Sequence, residues 1–248
     1  MQLYIEANSK HMKRCQLLRL GLVEYGKAWK LQKRFFNARQ SNQIEDILIT
    51  LQHPQTYTLG RRNKKLNHFL ADEGQLKNMG YSIYRVDRGG ATTYHGPGQI
   101  VCYPIIGMKS YTKKYYVYLQ MLEDVMIRTL QDYKIKPERV EGYTGVWVGG
   151  EKIGFIGVRI GGGVAMHGFS LNINNDLSPF NMIVPCGIQN AMITSISKLL
   201  KSDIDIKEAA DCIIRNFAGV FRIEMRAINM EDILEETGED KTPQMAQG

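Results

Sequence analysis

The sequence predicts an α+β protein. Segments with strand character follow one another as meanders instead of alternating regularly with helices. No repeat or linker-like composition divides the 248 residues, and 44% of them are hydrophobic, enough to bury most of the apolar surface in one core. We therefore expect a single domain over residues 1–228, followed by an acidic, disordered tail over residues 229–248.

The first half of the chain predicts strands and helices in the following order. Residues 15–22 form a strand and residues 23–40 an amphipathic helix, followed by a buried strand over 46–52. Residues 53–62, with Pro54 and Gly60, are expected to form an ordered loop. A short helix over 72–79 and a strand over 81–87 precede a break at 88–90. Two strands, 91–94 and 99–106, then flank the turn His95-Gly96-Pro97-Gly98.

The second half predicts a meander between two helices. Residues 114–133 place apolar side chains at spacings of three and four, which is typical of an amphipathic helix packed on a core. From 143 to 173, three strands are linked by glycine turns, the first at Gly149-Gly150. A helix over 206–221 and a strand over 222–228 complete the domain.

Composition favours a soluble, cytoplasmic protein, and a monomer is the expected state. No apolar run reaches the ~18 residues needed to span a membrane, and no export signal is recognisable at the start. The four cysteines form no CxxC pair, as expected for reduced thiols. The net charge of +7 favours acidic partners, but the basic residues form no nucleic-acid-binding motif. The histidines show no metal-ligand spacing, so no metal is expected.

One cysteine, Cys186, lies between Pro185 and Gly187. Proline restricts the backbone before the sulfur, and glycine allows a substrate carbonyl to approach closely. These neighbours suit a nucleophile, although a cysteine in a turn is more often structural. A thiol ordinarily ionises near pKa ~8.5, so a nucleophile at this position would need a neighbouring cation or base.

Lys152 is the candidate for that group. It begins an otherwise apolar strand, where a lysine is more often a strand-end residue that reaches solvent. A partly desolvated lysine can instead share a proton with a thiol and then act as acid or base. Cys186 and Lys152 would then form a catalytic dyad.

Several motifs in order resemble the lipoate biosynthesis octanoyltransferases, also called lipoyl(octanoyl) transferases. The matching segments are residues 53–62, 88–104, 144–160, 167–180 and 184–188. The resemblance implies a mixed, largely antiparallel sheet core with outer helices, as in the catalytic domains of biotin and lipoate protein ligases. It also implies that an octanoyl or lipoyl group moves from the phosphopantetheine thiol of acyl carrier protein to a cysteine, and then to a lysine ε-amine.

The resemblance further implies the site residues and partners. Cys186 would carry the acyl group as a thioester, and Lys152 would favour the thiolate. The acyl substrate would be bordered by Arg88, Gly89, Gly90, Ala91, Thr92, Thr93, Tyr94, His95, Phe155, Ile156, Gly157, Gly168, Phe169 and Ser170. The acceptors would be the lipoyl domains of 2-oxoacid dehydrogenases and the glycine cleavage H protein. Because the acyl group arrives as a thioester, neither ATP nor a metal cofactor is expected.

Two other classes of function stay open on the sequence. A lipoate protein ligase or an amidotransferase of the same fold is a close alternative, and a ligase would require ATP. A non-catalytic acyl-binding protein is the alternative from another class, and its function would not depend on Cys186.

Overall fold

The computed structural model describes residues 13–64, 69–188 and 191–230. The predicted acidic tail lies outside the described residues from position 231 onward. Within the described ranges, no helix is both long enough and apolar enough to cross a membrane.

The described residues form eleven strands and five α-helices. The strands are β1 (Lys13–Leu22), β2 (Asp46–Gln52), β3 (Thr56–Leu59), β4 (Ser82–Arg85), β5 (Thr92–His95), β6 (Gln99–Gly107), β7 (Glu138–Val140), β8 (Tyr143–Val148), β9 (Glu151–Gly161), β10 (Val164–Asn172) and β11 (Ile223–Ile228). The helices are α1 (Tyr25–Gln40), α2 (Glu73–Asn78), α3 (Tyr115–Asp132), α4 (Ile196–Leu200) and α5 (Ile206–Phe221).

Eight strands form one sheet in the order β11-β1-β2-β6-β10-β9-β8-β7. The pairs β11-β1 and β1-β2 are parallel, and every other pair in this sheet is antiparallel. A second sheet has the order β4-β3-β5, with β3 parallel to β4 and antiparallel to β5. The predicted α+β fold with a mixed, largely antiparallel sheet is confirmed.

The large sheet is buried on both faces because its central strands are apolar at almost every position. Along β6, Ile100 and Cys102 pack in the core that contains α3 and α5, whereas Val101 and Tyr103 pack with α1. This alternation follows from the period of two in a strand. The sheet is therefore the middle layer between helices. This agrees with the predicted sheet core with outer helices.

Acidic side chains fix where three of the helices begin. Glu24 accepts hydrogen bonds from the backbone N–H groups of the first turn of α1, and Asp72 and Asp205 do the same for α2 and α5. Such caps satisfy backbone donors that have no partner within the helix. The start of α1 at Tyr25 therefore follows directly from Glu24.

The structure differs from the sequence prediction in three places. The segment expected to be a loop over 53–62 contains β3. The strands on either side of the His95–Gly98 turn do not pair, because β5 belongs to the small sheet and β6 to the large one. The strand β7 and the short helix α4 had no clear signal in the sequence. The turn therefore joins two sheets instead of closing a hairpin.

Candidate active site

Cys186 lies at the centre of a single helical turn, Pro185–Gly187. Its backbone has φ 56° and ψ 12°, in the left-handed region that non-glycine residues seldom adopt. Hydrogen bonds from Gly187 N to Val184 O and from Ile188 N to Pro185 O hold this turn. The side chain is half-buried. A strained backbone at one exposed thiol is typical of a functional position.

Lys152 is the second residue of β9, and its side chain is 1% exposed. Its Nζ donates a hydrogen bond of 2.7 Å to Thr144 O on β8 and lies 4.2 Å from the centre of the Trp147 ring. Its backbone bonds to Met192 O and Thr194 N, just after the Cys186 turn. Lys152 therefore has two roles. Its side chain provides the ammonium, and its backbone anchors the segment that follows the Cys186 turn.

Lys152 and Cys186 lie close enough for their charges to interact. Burial lowers the pKa of Lys152, while its interaction with Cys186 and the charge of Glu123 act to raise it. A desolvated ammonium in contact with a thiol can exchange a proton with it. The structure thus brings together the two residues that the sequence singled out.

Gly145 on β8 makes room for the lysine. Its φ is +121°, and a Cβ built there would lie 2.4 Å from Gly154 O and 3.0 Å from both Cε and Nζ of Lys152. Only glycine combines that backbone angle with that approach. The N–H of Gly145 donates to the Glu123 carboxylate at 3.0 Å. Gly145 therefore sets the path of the Lys152 side chain.

Cys186 borders a narrow, partly open cavity of about 40 Å³ between the two sheets. The predicted site residues that line it are Arg88, Gly90, Ala91, Thr93, His95, Phe155, Ile156, Gly157, Gly168, Phe169, Ser170 and Cys186. The accessible lining is mostly apolar. The arrangement suits a ligand with an alkyl portion and a reactive group near the sulfur.

Three predicted substrate-binding residues do not line the cavity. Along β5, Thr93 and His95 border the cavity, so Thr92 and Tyr94 lie on the opposite face. The sequence interpretation placed Tyr94 in the wall, whereas its ring packs on Tyr57 and Phe180 in this structure. Gly89 bonds through its N–H to Val158 O, which ties the break at 88–90 to β9.

Arg88 is a buried cation in the cavity wall, 7% exposed. Its guanidinium donates to Thr58 O at 2.7 Å, to Thr58 Oγ1 and to Gly89 O. No carboxylate of the described ranges forms an ion pair with it. Its charge interacts with the Cys186 sulfur. Arg88 therefore adds a second positive charge near the nucleophile.

A chain of buried hydrogen bonds connects the cavity wall to the Lys152 strand. His95 Nδ1 and Gln99 Oε1 are 2.7 Å apart, and Gln99 Nε2 donates to Asn172 Oδ1 at 2.8 Å. Asn172 Nδ2 donates to Thr194 O at 2.9 Å, and Thr194 N donates to Lys152 O at 3.0 Å. Because each polar group in this network has a hydrogen-bond partner, the network can hold the cavity wall and Lys152 in fixed positions.

The turn between His95 and Gln99 depends on Gly98. Its φ is +87°, and a Cβ there would lie 2.7 Å from the backbone N of Asn175. Gly98 O accepts from Asn174 N at 2.9 Å, and Gly98 N donates to Gln52 Oε1 at 2.7 Å. The ring-rich turn is therefore clamped against the end of β10, which keeps His95 in the wall.

The cavity also contains residues that sequence reasoning missed: Tyr25, Val101, Tyr103 and His167. His167 Nε2 lies 2.7 Å from Asp87 Oδ1. Asp87 immediately precedes Arg88, and His167 immediately precedes Gly168, so both adjoin residues that the sequence did identify. Their pairing spans eighty positions, and no local spacing could show it.

The other three cysteines are poor candidates for the nucleophile. All four cysteines are free, but Cys15, Cys102 and Cys212 are buried. Burial raises the pKa of Cys15 and Cys102 well above the usual thiol range, and it raises that of Cys212 to about 11. Within the described part of the chain, no cluster of three or more His, Cys, Asp or Glu side chains is arranged to hold a metal ion.

The fold and the site agree with one protein family. Residues 24–218 match the family described as the lipoyl protein ligase A/B catalytic domain. The chain belongs to this family. It is 42% identical over 218 residues to the octanoyltransferase of Caldicellulosiruptor saccharolyticus, covering 87% of this chain and 92% of that protein. A chloroplastic octanoyltransferase of Arabidopsis thaliana is 37% identical, covering 88% and 82%. The chain is thus an acyltransferase related to the octanoyltransferases.

Solved structures support the same fold at much lower identity. A lipoate-protein ligase A bound with ATP has a TM-score of 0.69 at 15% identity, covering 91% of this chain and 94% of that one. A bi-partite lipoate protein ligase from Thermoplasma acidophilum has a TM-score of 0.70 at 16% identity, covering 91% and 92%. At identities this low, the comparison shows that the fold is shared and nothing further.

Proposed function

We propose that this chain transfers an octanoyl or lipoyl group from the phosphopantetheine thiol of acyl carrier protein to a lysine ε-amine of lipoyl domains, through a thioester on Cys186. The observation that carries the proposal is the proximity of the buried Lys152 ammonium to the half-buried Cys186 thiol at the border of an apolar cavity. The relatedness to octanoyltransferases supports the choice of acyl group.

The first half-reaction follows from the dyad. The Cys186 thiolate attacks the carbonyl carbon of the incoming thioester, while the Lys152 ammonium stabilises its charge. The bond between that carbon and the phosphopantetheine sulfur then breaks. Lys152 gives its proton to the leaving thiolate and becomes neutral. The acyl group is left on the enzyme as a thioester, and the neutral Lys152 amine is ready for the next step.

Residues that line the cavity offer contacts to the acyl chain and its carbonyl group. The rings of Phe155 and Phe169 offer apolar contacts to the alkyl portion. Thr93 Oγ1 is buried and has no hydrogen-bond partner within the described ranges. A free hydroxyl donor suits the oxygen of a thioester carbonyl, on which negative charge develops during attack. Thr93 would therefore help to hold that oxygen near Cys186.

The proposal includes neither ATP nor a metal cofactor, because exchange between thioesters is nearly balanced in energy and amide formation from a thioester is favourable. The expected acceptors are the lipoyl domains of 2-oxoacid dehydrogenases and the glycine cleavage H protein, with the enzyme acting as a monomer in the cytoplasm. The chain's net charge of +7 favours encounters with acidic protein partners.

The test is acyl transfer to a purified lipoyl domain without ATP and with EDTA present. We expect octanoyl-acyl carrier protein to modify the acceptor lysine in the wild type but not in Cys186→Ser. Free octanoate without ATP should give no product. Transfer that required ATP would instead indicate a ligase. Undiminished transfer by Cys186→Ser would contradict the proposed thioester.

A further inference from the structure

His167 has one ring nitrogen without a partner, beside the cavity that holds Cys186. The side chain is 1% exposed and lines that cavity. Its Nε2 pairs with Asp87 Oδ1, but its Nδ1 is buried and has no hydrogen-bond partner in the ranges that the structure describes. A buried polar atom left unpaired carries an energetic cost. A ligand atom that completed this hydrogen bond would remove the cost.

The surroundings of His167 determine which nitrogen carries the proton. The Asp87 carboxylate also accepts a hydrogen bond from Arg159. The hydrogen bond from His167 and the charge of Arg159 hold the pKa of Asp87 far below its usual range, so this carboxylate is ionised and can only accept. His167 Nε2 therefore carries the proton. Since burial lowers the pKa of His167, the ring is neutral and Nδ1 offers a lone pair.

The backbone at His167 is also unusual. Its φ is 57°, inside a strand, and β10 does not pair with β6 between Ala165 and Phe169. Such a conformation is strained for a residue other than glycine. The strand on the other side, β9, keeps its pairing with His167 through Val158. The distortion is therefore confined to the edge of β10 that faces β6.

The reacting groups of the proposed function differ in what they can donate. A thioester carbonyl and an alkyl chain have only acceptor or apolar atoms, and they cannot satisfy a nitrogen lone pair. The incoming lysine ε-ammonium has three N–H donors. It must also lose a proton before its nitrogen can attack the thioester carbon. The unpaired Nδ1 of His167 matches both requirements.

We propose that His167 binds the incoming ε-amine through Nδ1 and takes a proton from it in the second half-reaction, oriented by Asp87. This inference rests on the function proposed above and adds a residue that contacts the acceptor. Asp87 acts through His167 as a positioning residue, because its hydrogen bond to Nε2 leaves Nδ1 as the basic nitrogen.

The protons and electrons balance as follows. His167 Nδ1 takes one proton from the ε-ammonium, and the resulting amine attacks the carbonyl carbon of the Cys186 thioester. The new C–N bond forms and the C–S bond breaks, with its electron pair remaining on sulfur. The second proton leaving the nitrogen goes to the neutral Lys152. The product is an amide, the dyad is again thiolate and ammonium, and His167 releases its proton to solvent.

The experiment separates the two half-reactions in the full-length enzyme. Acyl-enzyme formation from octanoyl-acyl carrier protein is followed by intact mass. The isolated acyl-enzyme is then mixed either with a lipoyl domain or with hydroxylamine, a small amine that is uncharged near neutral pH. The variants are His167→Asn, whose side chain tolerates the left-handed backbone, and Asp87→Asn. Asp211→Asn is the control, since Asp211 forms a half-exposed surface pair with Arg19.

We expect His167→Asn to form the acyl-enzyme within about threefold of the wild-type rate but to transfer to the lipoyl domain about 10²–10⁴-fold more slowly, the usual range for loss of a general base. Cleavage by hydroxylamine should change by less than about threefold, and Asp87→Asn should slow transfer to lysine about tenfold or more. Asp211→Asn should match the wild type.

Two results would overturn the inference. One is unchanged transfer to the lipoyl domain by His167→Asn. The other is an equal loss of acylation, transfer and hydroxylamine cleavage, which indicates a structural role. A wild-type enzyme that formed no acyl adduct at all would refute the proposed function first, and the assignment of His167 with it. Measuring acyl-enzyme formation therefore distinguishes a failure of the proposed function from a failure of the role assigned to His167.

Discussion

Replacing Lys152 by methionine should separate catalysis from stability. Methionine has a similar length and no charge, so the change removes the ammonium beside Cys186 with little change in packing. Two opposite charges about 4 Å apart interact by about 4 kcal/mol at an effective dielectric constant of about 20. Part of this is offset by the burial of Lys152, which lowers its pKa. We expect about 10–100-fold slower alkylation of Cys186 at pH 7.

The stability of the same variant should change little. The lost hydrogen bond to Thr144 O costs about 1 kcal/mol. Removing the buried charge stabilises the folded state, because the cost of desolvating that charge, which reaches several kcal/mol, is no longer incurred. Because the attraction between ammonium and sulfur is lost as well, these effects largely offset one another, and the net change is within about 1 kcal/mol of zero, or about 2–4 °C in Tm for a chain of this size.

The assay combines iodoacetamide alkylation across pH with thermal melting. Cys186 dominates the alkylation signal because the other three cysteines are buried. Lys198→Met is the matched control: Lys198 forms an ion pair with Glu151, next to Lys152, but is half-exposed. The control should alkylate like the wild type. Equal alkylation of wild type and Lys152→Met would refute the role of the ammonium, and a large drop in the Tm of Lys152→Met would refute the desolvation argument.

Three further predictions follow from the geometry of the site. Gly145→Ala should cost about 2–5 kcal/mol from backbone strain and overpacking and slow acylation by displacing Lys152; a wild-type Tm and rate would contradict this. Gln99→Leu should cost about 2–4 kcal/mol by leaving buried partners unpaired, and an unchanged denaturant midpoint would contradict it. Burial lowers the pKa of His53 to about 4 and of His95 to about 3, whereas an unfolded histidine titrates near ~6.5. The unfolded chain therefore binds more protons below that pH, so stability is lost as pH falls from ~6.5 towards 4, by about 2 kcal/mol per histidine at pH 5. A flat melting profile between pH 7.5 and 5 would contradict this sign.

Local patterns were enough to predict most of the fold. The 3.6-residue spacing over 114–133 and the apolar run over 46–52 both correspond to the elements observed, α3 and β2. The strand β3 was missed because its four residues lie between Pro54 and Gly60, which are typical of a loop. What makes Thr56–Leu59 a strand is its pairing with β4 and β5, and neither pairing is local in the sequence.

In the site too, residues with distinctive sequence neighbours could be predicted, whereas residues that only the fold brings together could not. Cys186 was identified from its proline and glycine neighbours, and the sequence placed Lys152 on a strand. The pair Asp87 and His167 could not be predicted, because one residue lies in a loop and the other in β10, and only the fold brings them together. The sequence did not separate Tyr94 from its neighbours Thr93 and His95, because the side chains along a strand alternate between two faces.

The most direct test of the account is to intercept the acyl-enzyme before any acceptor is added. The wild-type chain is mixed with octanoyl-acyl carrier protein, quenched in acid, digested and mapped by mass spectrometry. The account predicts one octanoyl group, removable by hydroxylamine, on the peptide that contains Cys186, and no adduct in Cys186→Ala. An adduct on another residue, or transfer to a lipoyl domain with no adduct on Cys186, would contradict it.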